Sequence, residues 1–262
     1  ENAKKLIDTG VTGIAYETVT SSDGSMPLLA PMSTIAGQLA FVVGSYHLLK
    51  HNNGKGVMIG QMDNMDPRVV TVIGAGVSGT QSILKAIDNN ALVKVVDSSQ
   101  SKLDELKSQY GSNNVEYILS TKDSIQSSIN DSDLVIGSVY VVGKEAPKVI
   151  TREMLSSMNP GTVMVDVSID QGGCFETSKP TTHDNPTFLE NEIVHYCVTN
   201  MPGAVPLTAT EALNKVTLSY IEYIANNGVS NALDSDEHLM NGLNIKDGII
   251  IHPAVKEALS RL

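Results

Sequence analysis

The sequence predicts an α/β protein built on a doubly wound, parallel, six-stranded sheet, together with an incomplete second α/β domain. The middle of the 262-residue chain alternates short apolar runs with helical patterns, which is typical of a parallel sheet covered by helices. Six such runs occur, and six strands are the full count of a doubly wound fold. The two flanks hold one strand pattern and a few helices, too little for a second closed sheet.

The six strands are predicted because each is a β-branched or otherwise apolar run, suited to burial on both faces. They lie at 69–73, 91–96, 115–119, 134–139, 162–167 and 193–198. Helices are predicted between them from a pattern through Ile83 and Ile87 that ends at Asn89, and at 102–110 and 121–130. Gly111 suits a helix end, and Ser120 or Thr121 suits a helix start.

The flanks are predicted to contain a strand at 11–19, a helix at 33–50 and a long helix at 208–226. The most apolar stretch, 26–49, is interrupted by prolines and polar residues, so we interpret it as a buried helix and not as a membrane span.

Small residues line one face of the helix predicted at 33–50. Ser33, Gly37, Ala40 and Gly44 are spaced by four, three and four residues, which places them side by side on a helix. Such a face allows another backbone to approach closely, in an interdomain or an intersubunit contact. The sequence does not choose between these two.

Composition excludes several classes of protein. Acidic residues outnumber basic ones by 29 to 18, for a formal net charge of −11, so we expect no nucleic-acid partner. We also expect no membrane partner. Two cysteines, Cys174 and Cys197, are too few for a disulfide scaffold, favour a packing role, and indicate a reducing, cytoplasmic setting. No HxxH or CxxC spacing occurs, so we predict no metal site.

A glycine motif follows the strand predicted at 69–73 and opens the next helix. Gly74, Gly76 and Gly79 form GxGxxG, a weak pattern alone but a stronger one in this strand-to-helix context. The first glycine allows a tight turn, the second lets a pyrophosphate approach the backbone, and the third lets the helix pack closely on the sheet. The motif predicts a Rossmann-type dinucleotide site, against the alternative of a purely structural turn.

Asp97 ends the second predicted strand, 18 residues after Gly79. A carboxylate there suits the two ribose hydroxyls of NAD and would repel the 2′-phosphate of NADP. The next residues include no arginine to accept that phosphate, although Lys102 is near. NAD is therefore the predicted cofactor. Asp97 could instead cap the following helix, or do both.

The ligand of a doubly wound fold lies beyond the carboxyl ends of its strands. The loops after the fourth, fifth and sixth predicted strands span 138–143, 168–173 and 199–203. Asp170 is the only carboxylate in these loops, which makes it the first candidate for an ionisable catalytic group. The alternative is a turn-forming aspartate before two glycines.

Two histidines and two lysines are further candidates. His183 lies in an open polar loop, whereas His195 lies within an apolar strand and favours a buried structural role. No arginine lies in the three loops, so a clamp for a substrate carboxylate is expected outside this segment. Lys144 and Lys148 are the nearest alternatives.

Five segments together resemble alanine dehydrogenase, of the alanine dehydrogenase and transhydrogenase α-subunit family. They are TGIAYETV at 12–19, PLLAPMS at 27–33, VIGAG at 72–76, DVSIDQGGC at 166–174 and NMPGAVP at 200–206. The resemblance runs from Thr12 to about Gly248, and the IDQGGC segment favours alanine dehydrogenase over the related transhydrogenase subunit.

The resemblance implies NAD-dependent, reversible oxidative deamination of L-alanine to pyruvate and ammonia, in a homo-oligomer that is often a hexamer. It implies a catalytic role for Asp170, near the substrate amino group or the attacking water. It also implies contacts to NAD phosphates, ribose or nicotinamide from Ser33, Gly74, Gly76, Val77, Gly79, Asp97, Ser138, Val139, Asn200 and Met201.

One departure from the family is large. Its substrate arginine, its lysine in a Lys-Glu-Pro motif and its catalytic histidine lie upstream of the segment matching Thr12, and the chain starts at Glu1 without a methionine or a signal-like segment. We therefore expect a fragment, with residues 1–30 as part of a substrate domain, 31–204 as the NAD-binding domain with its linker helix, and 205–262 as a helical return. A non-catalytic NAD-binding module and a transhydrogenase-like hydride carrier stay open as alternatives.

Overall fold

The computed structural model describes residues 2–60, 62–141 and 145–260. The helices are α1 (Asn2–Thr9), α2 (Ala30–His47), α3 (Val77–Asp88), α4 (Gln100–Tyr110), α5 (Lys122–Ile129), α6 (Pro206–Asn227), α7 (Val229–Ser235), α8 (Glu237–Met240) and α9 (Pro253–Ser260). The strands are β1 (Gly13–Ile14), β2 (Val69–Ile73), β3 (Leu92–Asp97), β4 (Val115–Leu119), β5 (Leu134–Gly137), β6 (Val163–Asp166), β7 (Thr187–Glu190), β8 (Ile193–Tyr196), β9 (Leu243–Lys246) and β10 (Ile249–Ile250). The chain divides into two compact units, one of residues 33–204 and one of the residues before 33 and after 204.

The unit of residues 33–204 is built on a seven-stranded sheet of order β4-β3-β2-β5-β6-β8-β7. Six of these strands are parallel, and β7 alone pairs antiparallel, with β8. The chain moves outward from β2 to β4 and then returns to β5 on the other side of β2. The order therefore reverses between β2 and β5, the switch point at which doubly wound folds bind ligands.

Alternating strand residues serve the two faces of this sheet. Val70 and Val72 of β2 belong to a core cluster that includes residues of α2, α3 and α4, whereas Ile73 joins a second cluster with Ile125 and Ile129 of α5. This alternation follows from the two-residue period of a strand. Helices thus cover both faces of a mostly parallel sheet, and the predicted doubly wound α/β class is confirmed.

The six predicted strands all occur, with ends displaced by at most two residues. Gly111 ends α4 at a φ of 74°, and Thr121 caps α5 by accepting the backbone N–H of Ser124, as predicted. The sequence analysis missed β7, which forms a hairpin with β8. The strand predicted at 11–19 was wrong over most of its length, because only Gly13 and Ile14 pair as a strand and a short 3-10 turn follows at Tyr16–Thr18.

The small-residue face of α2 packs inside the unit of residues 33–204. A Cβ added to Gly37 would overlap the backbone carbonyl of Ser78 in α3, and one on Gly44 would lie 2.5 Å from Leu134 Cδ1. Ser82 Oγ also donates to the carbonyl of Gly37 at 2.7 Å. These contacts explain the glycines without an interdomain or intersubunit interface.

The other unit has its own small sheet, of order β1-β9-β10 with antiparallel pairing. Its buried cluster comprises Val19, Leu28, Ala232, Leu233, Leu239 and Leu243. Helix α6 in this unit has no buried residue. Among the described residues, no helix combines the length and hydropathy needed to cross a membrane.

Candidate functional site

The glycine loop lies at the switch point and connects β2 to α3. Gly74 has a φ of 93°, and a Cβ on it would lie 2.5 Å from the carbonyl oxygen of Ser138. A Cβ on Gly79 would overlap the carbonyl oxygen of Gly74 and lie 2.6 Å from Ser138 Oγ. Both glycines are therefore required by close approach between the loop, the start of α3 and the end of β5.

Gly76 differs from its two neighbours because a Cβ there would meet nothing within 4 Å. It precedes Val77, the first residue of α3, whose side chain is 49% exposed. The free N–H groups and the positive dipole end of this helix thus face an open space beside a residue without a side chain. That arrangement fits a pyrophosphate group.

Asp97 joins the end of β3 to the glycine loop. Its Oδ2 accepts the backbone N–H of Ala75 at 2.7 Å, and its Oδ1 accepts that of Ser99 at 2.8 Å. Ser99, and not Asp97, is the cap of α4, because its side chain accepts the N–H of Lys102. A carboxylate has about four acceptor positions, so two of them stay available for ribose hydroxyls.

Ser138 and Val139 follow β5 on the other side of the switch point. Ser138 Oγ donates to the carbonyl of Gly74 at 2.6 Å, which fastens the glycine loop to the end of β5. The carbonyl of Val139 accepts Ser168 Oγ at 2.8 Å, which links this loop to the one after β6.

Asp170 and Asn200 bring the loops after β6 and β8 together. The backbone N–H of Asn200, a residue with a φ of 52°, donates to Asp170 Oδ2 at 3.4 Å. The Nε2 atom of His183 lies 3.2 Å from the carbonyl of Asn200, within hydrogen-bonding distance. The Asp170 side chain is exposed and can reach a ligand, whereas Met201 is only 4% exposed and packs in the core.

Asp166 lies beneath the Asp170 loop and was missed by the sequence analysis. This residue ends β6 with no exposed surface, and its carboxylate accepts hydrogen bonds from Ser168, Cys174, Phe175 and Ser178. Burial raises the pKa of the Asp166 carboxyl above its usual value, and these hydrogen bonds act against that rise. The one available signal was a carboxylate at the end of an apolar strand.

Two of the remaining candidate side chains, Lys148 and His195, have structural partners. Lys148 Nζ donates to the carbonyls of Gly172 and Gly173, so it holds the Asp170 loop, and Lys144 lies outside the described residues. His195 is fully buried, with its ring nitrogens 2.8 Å from Thr177 Oγ1 and 3.1 Å from the Ile193 carbonyl. Its structural interpretation agrees with this environment.

Both cysteines are fully buried. Burial raises the pKa of the Cys174 thiol well above its usual value and raises that of Cys197 to about 12. Both side chains are therefore neutral thiols that contribute to packing.

A comparison with protein families decides which group of proteins shares this arrangement. The model of the family described as alanine dehydrogenase/PNT, C-terminal domain, matches residues 40–253. The chain belongs to the alanine dehydrogenase/PNT family. The resemblance seen in the sequence is thereby confirmed.

Curated members of the alanine dehydrogenase/PNT family match nearly the whole chain. An alanine dehydrogenase of Halomonas elongata is 48% identical over 255 residues, which cover 97% of this chain and 68% of that protein. An alanine dehydrogenase of Mycolicibacterium smegmatis is 43% identical over 254 residues, again 97% of this chain and 68% of that protein.

Solved structures agree with the family assignment. An L-alanine dehydrogenase matches with a TM-score of 0.93 at 41% identity, over 98% of this chain and 71% of that chain. A transhydrogenase from Sinorhizobium meliloti matches with a TM-score of 0.78 at 22% identity, over 95% of this chain and 71% of that chain. The second match shows the shared fold alone.

Proposed function

We propose that this protein catalyses the NAD-dependent oxidative deamination of L-alanine to pyruvate and ammonia, and the reverse reaction. The observation that carries the proposal is the switch point itself. There the glycine loop, Asp97 and the loop bearing Asp170 meet at one sheet edge, in a chain 48% identical to an alanine dehydrogenase. That edge is where a doubly wound fold binds its ligand.

The cofactor is NAD in this proposal. Gly74, Gly76 and Gly79 hold the pyrophosphate with the first N–H groups of α3 at Val77, and Ser33 adds a phosphate contact. Asp97 takes the adenosine ribose, because its two remaining acceptor positions suit two hydroxyls and its charge repels a 2′-phosphate. Ser33 begins this unit, four residues before Gly37, which packs against Ser78 of α3.

The nicotinamide is assigned to the loops after β5 and β8, lined by Ser138, Val139, Asn200 and Met201. Because the Met201 side chain is buried, its contribution comes from the backbone. NAD, when bound, supplies the acceptor for the hydride that leaves the substrate carbon.

Asp170 is the catalytic carboxylate in this proposal. It is exposed at the loop tip, next to the backbone of Asn200, so it can accept a proton from the water that attacks the substrate carbon or orient the substrate amino group. Residues 33–204 form the NAD-binding domain, and the other unit belongs to the substrate domain.

Binding of the cofactor is tested by titrating the chain with NADH and, separately, with NADPH, while following nucleotide fluorescence. Tighter binding of NADH supports the assignment of Asp97, and tighter binding of NADPH overturns it. Asp104→Asn is the control for substitutions of Asp97, since Asp104 is an exposed residue of α4 whose Oδ1 accepts Gln100 Nε2 at 2.9 Å.

The reaction is tested by following NADH formation from NAD and L-alanine in the protein expressed from its complete gene. We expect turnover with L-alanine, a large loss in Asp170→Asn, and much lower rates with glycine. Equal rates with alanine, glycine and substrates that are not amino acids would overturn the proposed function.

A cytoplasmic homo-oligomer, a hexamer by the family resemblance, completes the proposal. Its support in this structure is the surface of α6, where Leu207, Leu218 and Ile221 are 73%, 55% and 59% exposed. Exposed apolar side chains on one helix favour a protein interface. Sedimentation velocity tests the assembly, and a monomer at micromolar concentration would contradict it.

A further inference from the structure

We propose that Asp166 is a positioning residue for Asp170. The carboxylate of Asp166, together with the ammonium group of Lys148, holds the loop after β6 in one conformation. This inference rests on the catalytic role proposed for Asp170. It concerns a carboxylate that touches neither substrate nor cofactor.

The carboxylate of Asp166 collects five donors. Its Oδ2 accepts the N–H groups of Cys174 and Phe175 at 2.8 and 3.4 Å and the hydroxyl of Ser178 at 2.5 Å. Its Oδ1 accepts the N–H of Ser168 at 3.0 Å and the thiol of Cys174 at 3.4 Å. The donors come from both sides of Asp170 in the sequence, so one side chain closes the whole loop.

Two consecutive glycines let the loop settle on this carboxylate. Gly172 and Gly173 have φ values of 86° and 79°, a conformation that side chains disfavour. A Cβ on Gly173 would lie 2.7 Å from Asp166 Oδ2 and 2.8 Å from Ser178 Cβ. Gly173 is therefore required by the position of Asp166, whereas Gly172 is favoured by its positive φ alone.

Lys148 holds the same turn by donating hydrogen bonds to the backbone carbonyls of the turn. Its Nζ donates to the carbonyls of Gly172 and Gly173, the second at 2.7 Å. The turn is thus bound by an anion at the N–H groups that follow it and by a cation at its own carbonyls. Hydrogen bonds to charged groups are stronger than those between neutral groups.

Ser168 connects the loop after β6 to the part of the site assigned to the cofactor. Its N–H donates to Asp166 and its hydroxyl donates to the carbonyl of Val139, the residue assigned to the nicotinamide. Loosening the loop should therefore weaken contacts to the nicotinamide half of NADH and spare those to the adenosine half.

Asp166→Asn is the decisive variant because an amide nitrogen cannot accept a hydrogen bond. Each carboxylate oxygen faces at least two donors, so either orientation of the amide places its NH₂ group against donors. Asp133→Asn is the matched control, since Asp133 is also buried on this sheet but accepts Lys55 Nζ at 3.0 Å, before β5.

The first measurement is hydrogen exchange of the backbone amides of Ser168, Cys174 and Phe175. We expect exchange about 10- to 100-fold faster in Asp166→Asn, from the usual strength of hydrogen bonds to a charged group. Asp133→Asn should accelerate these amides no more than the other amides of the sheet, because its ion pair with Lys55 lies before β5, at the opposite end of the strands from this loop. If Asp166→Asn does not fold, Ser178→Ala removes one donor only and should give a smaller increase in exchange at the same amides.

The second measurement compares the dissociation constants of NADH and ADP-ribose. Asp166→Asn should weaken NADH about 5- to 10-fold, a cost of about 1 kcal/mol, and leave ADP-ribose within about twofold of wild type. Unchanged exchange in Asp166→Asn, equal acceleration in Asp133→Asn, or equal weakening of both ligands would each overturn the inference. A wild-type chain that binds neither ligand contradicts the proposed function instead, and the exchange rates then still decide the role of Asp166.

Discussion

Single carboxylates at the carboxyl edge of the sheet perform different tasks according to what surrounds them. Asp97 is partly buried and keeps acceptor capacity for a ligand, Asp166 is fully buried and filled by protein donors, and Asp170 is exposed. A carboxylate whose acceptor positions are filled by protein donors can hold a loop, whereas one that keeps unused acceptor positions can bind a ligand. Charge alone would not distinguish them.

Asp97→Asn should weaken NADH binding about 10- to 100-fold, the effect of losing hydrogen bonds to a charged group. It should also narrow the difference between NADH and NADPH, because the repulsion of a 2′-phosphate disappears. Fluorescence titration with both nucleotides measures the two effects. An unchanged preference for NADH over NADPH in this variant would contradict the ribose assignment.

The sequence offers Asp97 and Asp170 as candidates because motif spacing and strand ends place them at the carboxyl ends of the strands. It could not identify Asp166 as the residue that holds the loop, since the pairing of this carboxylate with Cys174 and Phe175 depends on how the intervening chain folds back. The sequence also left Lys148 as an alternative clamp for a substrate carboxylate, because its position in the folded chain was unknown. Its contacts with Gly172 and Gly173 become visible only in three dimensions.

At the scale of elements, the turn from β2 to α3 contains Gly79, which is required by packing, and Gly76, which is assigned to the ligand. Gly79→Ala should lower the unfolding midpoint strongly, because its Cβ would overlap the carbonyl of Gly74. Gly76→Ala should leave the midpoint within a degree or two and still weaken NADH, because its Cβ enters the open space assigned to the pyrophosphate.

Thermal unfolding followed by circular dichroism, together with NADH titration, measures this pair of variants. Equal loss of stability in the two variants would show that Gly76 is also structural. Unchanged NADH affinity in Gly76→Ala would place the pyrophosphate elsewhere.

The ion pair that lies just before β5 provides a second test, at the amino ends of the strands. Lys55 and Asp133 form an ion pair at 3.0 Å with side chains only 14% and 10% exposed, and Asp133 also accepts the N–H of Val69. Asp133→Ala should destabilise the fold by about 3 kcal/mol, because it leaves the largely buried Lys55 ammonium with the Ser132 carbonyl at 2.9 Å but without a carboxylate. Urea unfolding measures this change, and a loss similar to that of Asp104→Ala, an exposed control, would contradict it.

The six parallel strands were predictable from sequence, the edge strand β4 included, whereas the antiparallel edge strand β7 was not. The parallel strands are rich in apolar residues, with single interruptions such as Lys94 in β3 and Glu116 in β4. By contrast, β7 is a half-exposed segment whose pairing depends on the hairpin turn at Asn191 and Glu192. The strands β1, β9 and β10 are also short, with two to four residues each. Such short segments take their conformation from tertiary pairing, which local pattern does not contain.

At the scale of the whole molecule, parallel strand order in residues 33–204 places a stabilising ion pair and the candidate site at opposite ends of the strands. The buried Lys55–Asp133 pair lies before β5, at the amino ends of the strands, and the candidate site lies at their carboxyl ends. Stability variants at the amino edge are therefore useful controls for functional variants at the carboxyl edge. This separation follows from parallel strand order, so the predicted fold class already contained it.

The contribution of two buried histidines to the stability of residues 33–204 should decrease in mild acid. Burial lowers the pKa of both His47 and His195 from their usual value of 6.5, so at these two side chains the unfolded chain binds more protons than the folded one as the pH falls below that value. The raised pKa of Asp166 acts in the opposite direction. The stability due to neutral histidines is complete above about pH 6.5 and is lost as the pH falls towards their folded-state pKa values.

His47→Leu isolates one of these two contributions. His47 Nδ1 is buried and has no hydrogen-bond partner among the described residues, so leucine removes a proton-binding site without breaking a bond. The difference in unfolding midpoint between about pH 7.5 and 5.5 should therefore be smaller in His47→Leu than in wild type. His51→Leu, at an exposed position nearby, is the control and should keep the wild-type difference. Because His47→Leu keeps every other titrating group of the wild type, equal differences in these two proteins would show that His47 does not couple folding to protonation.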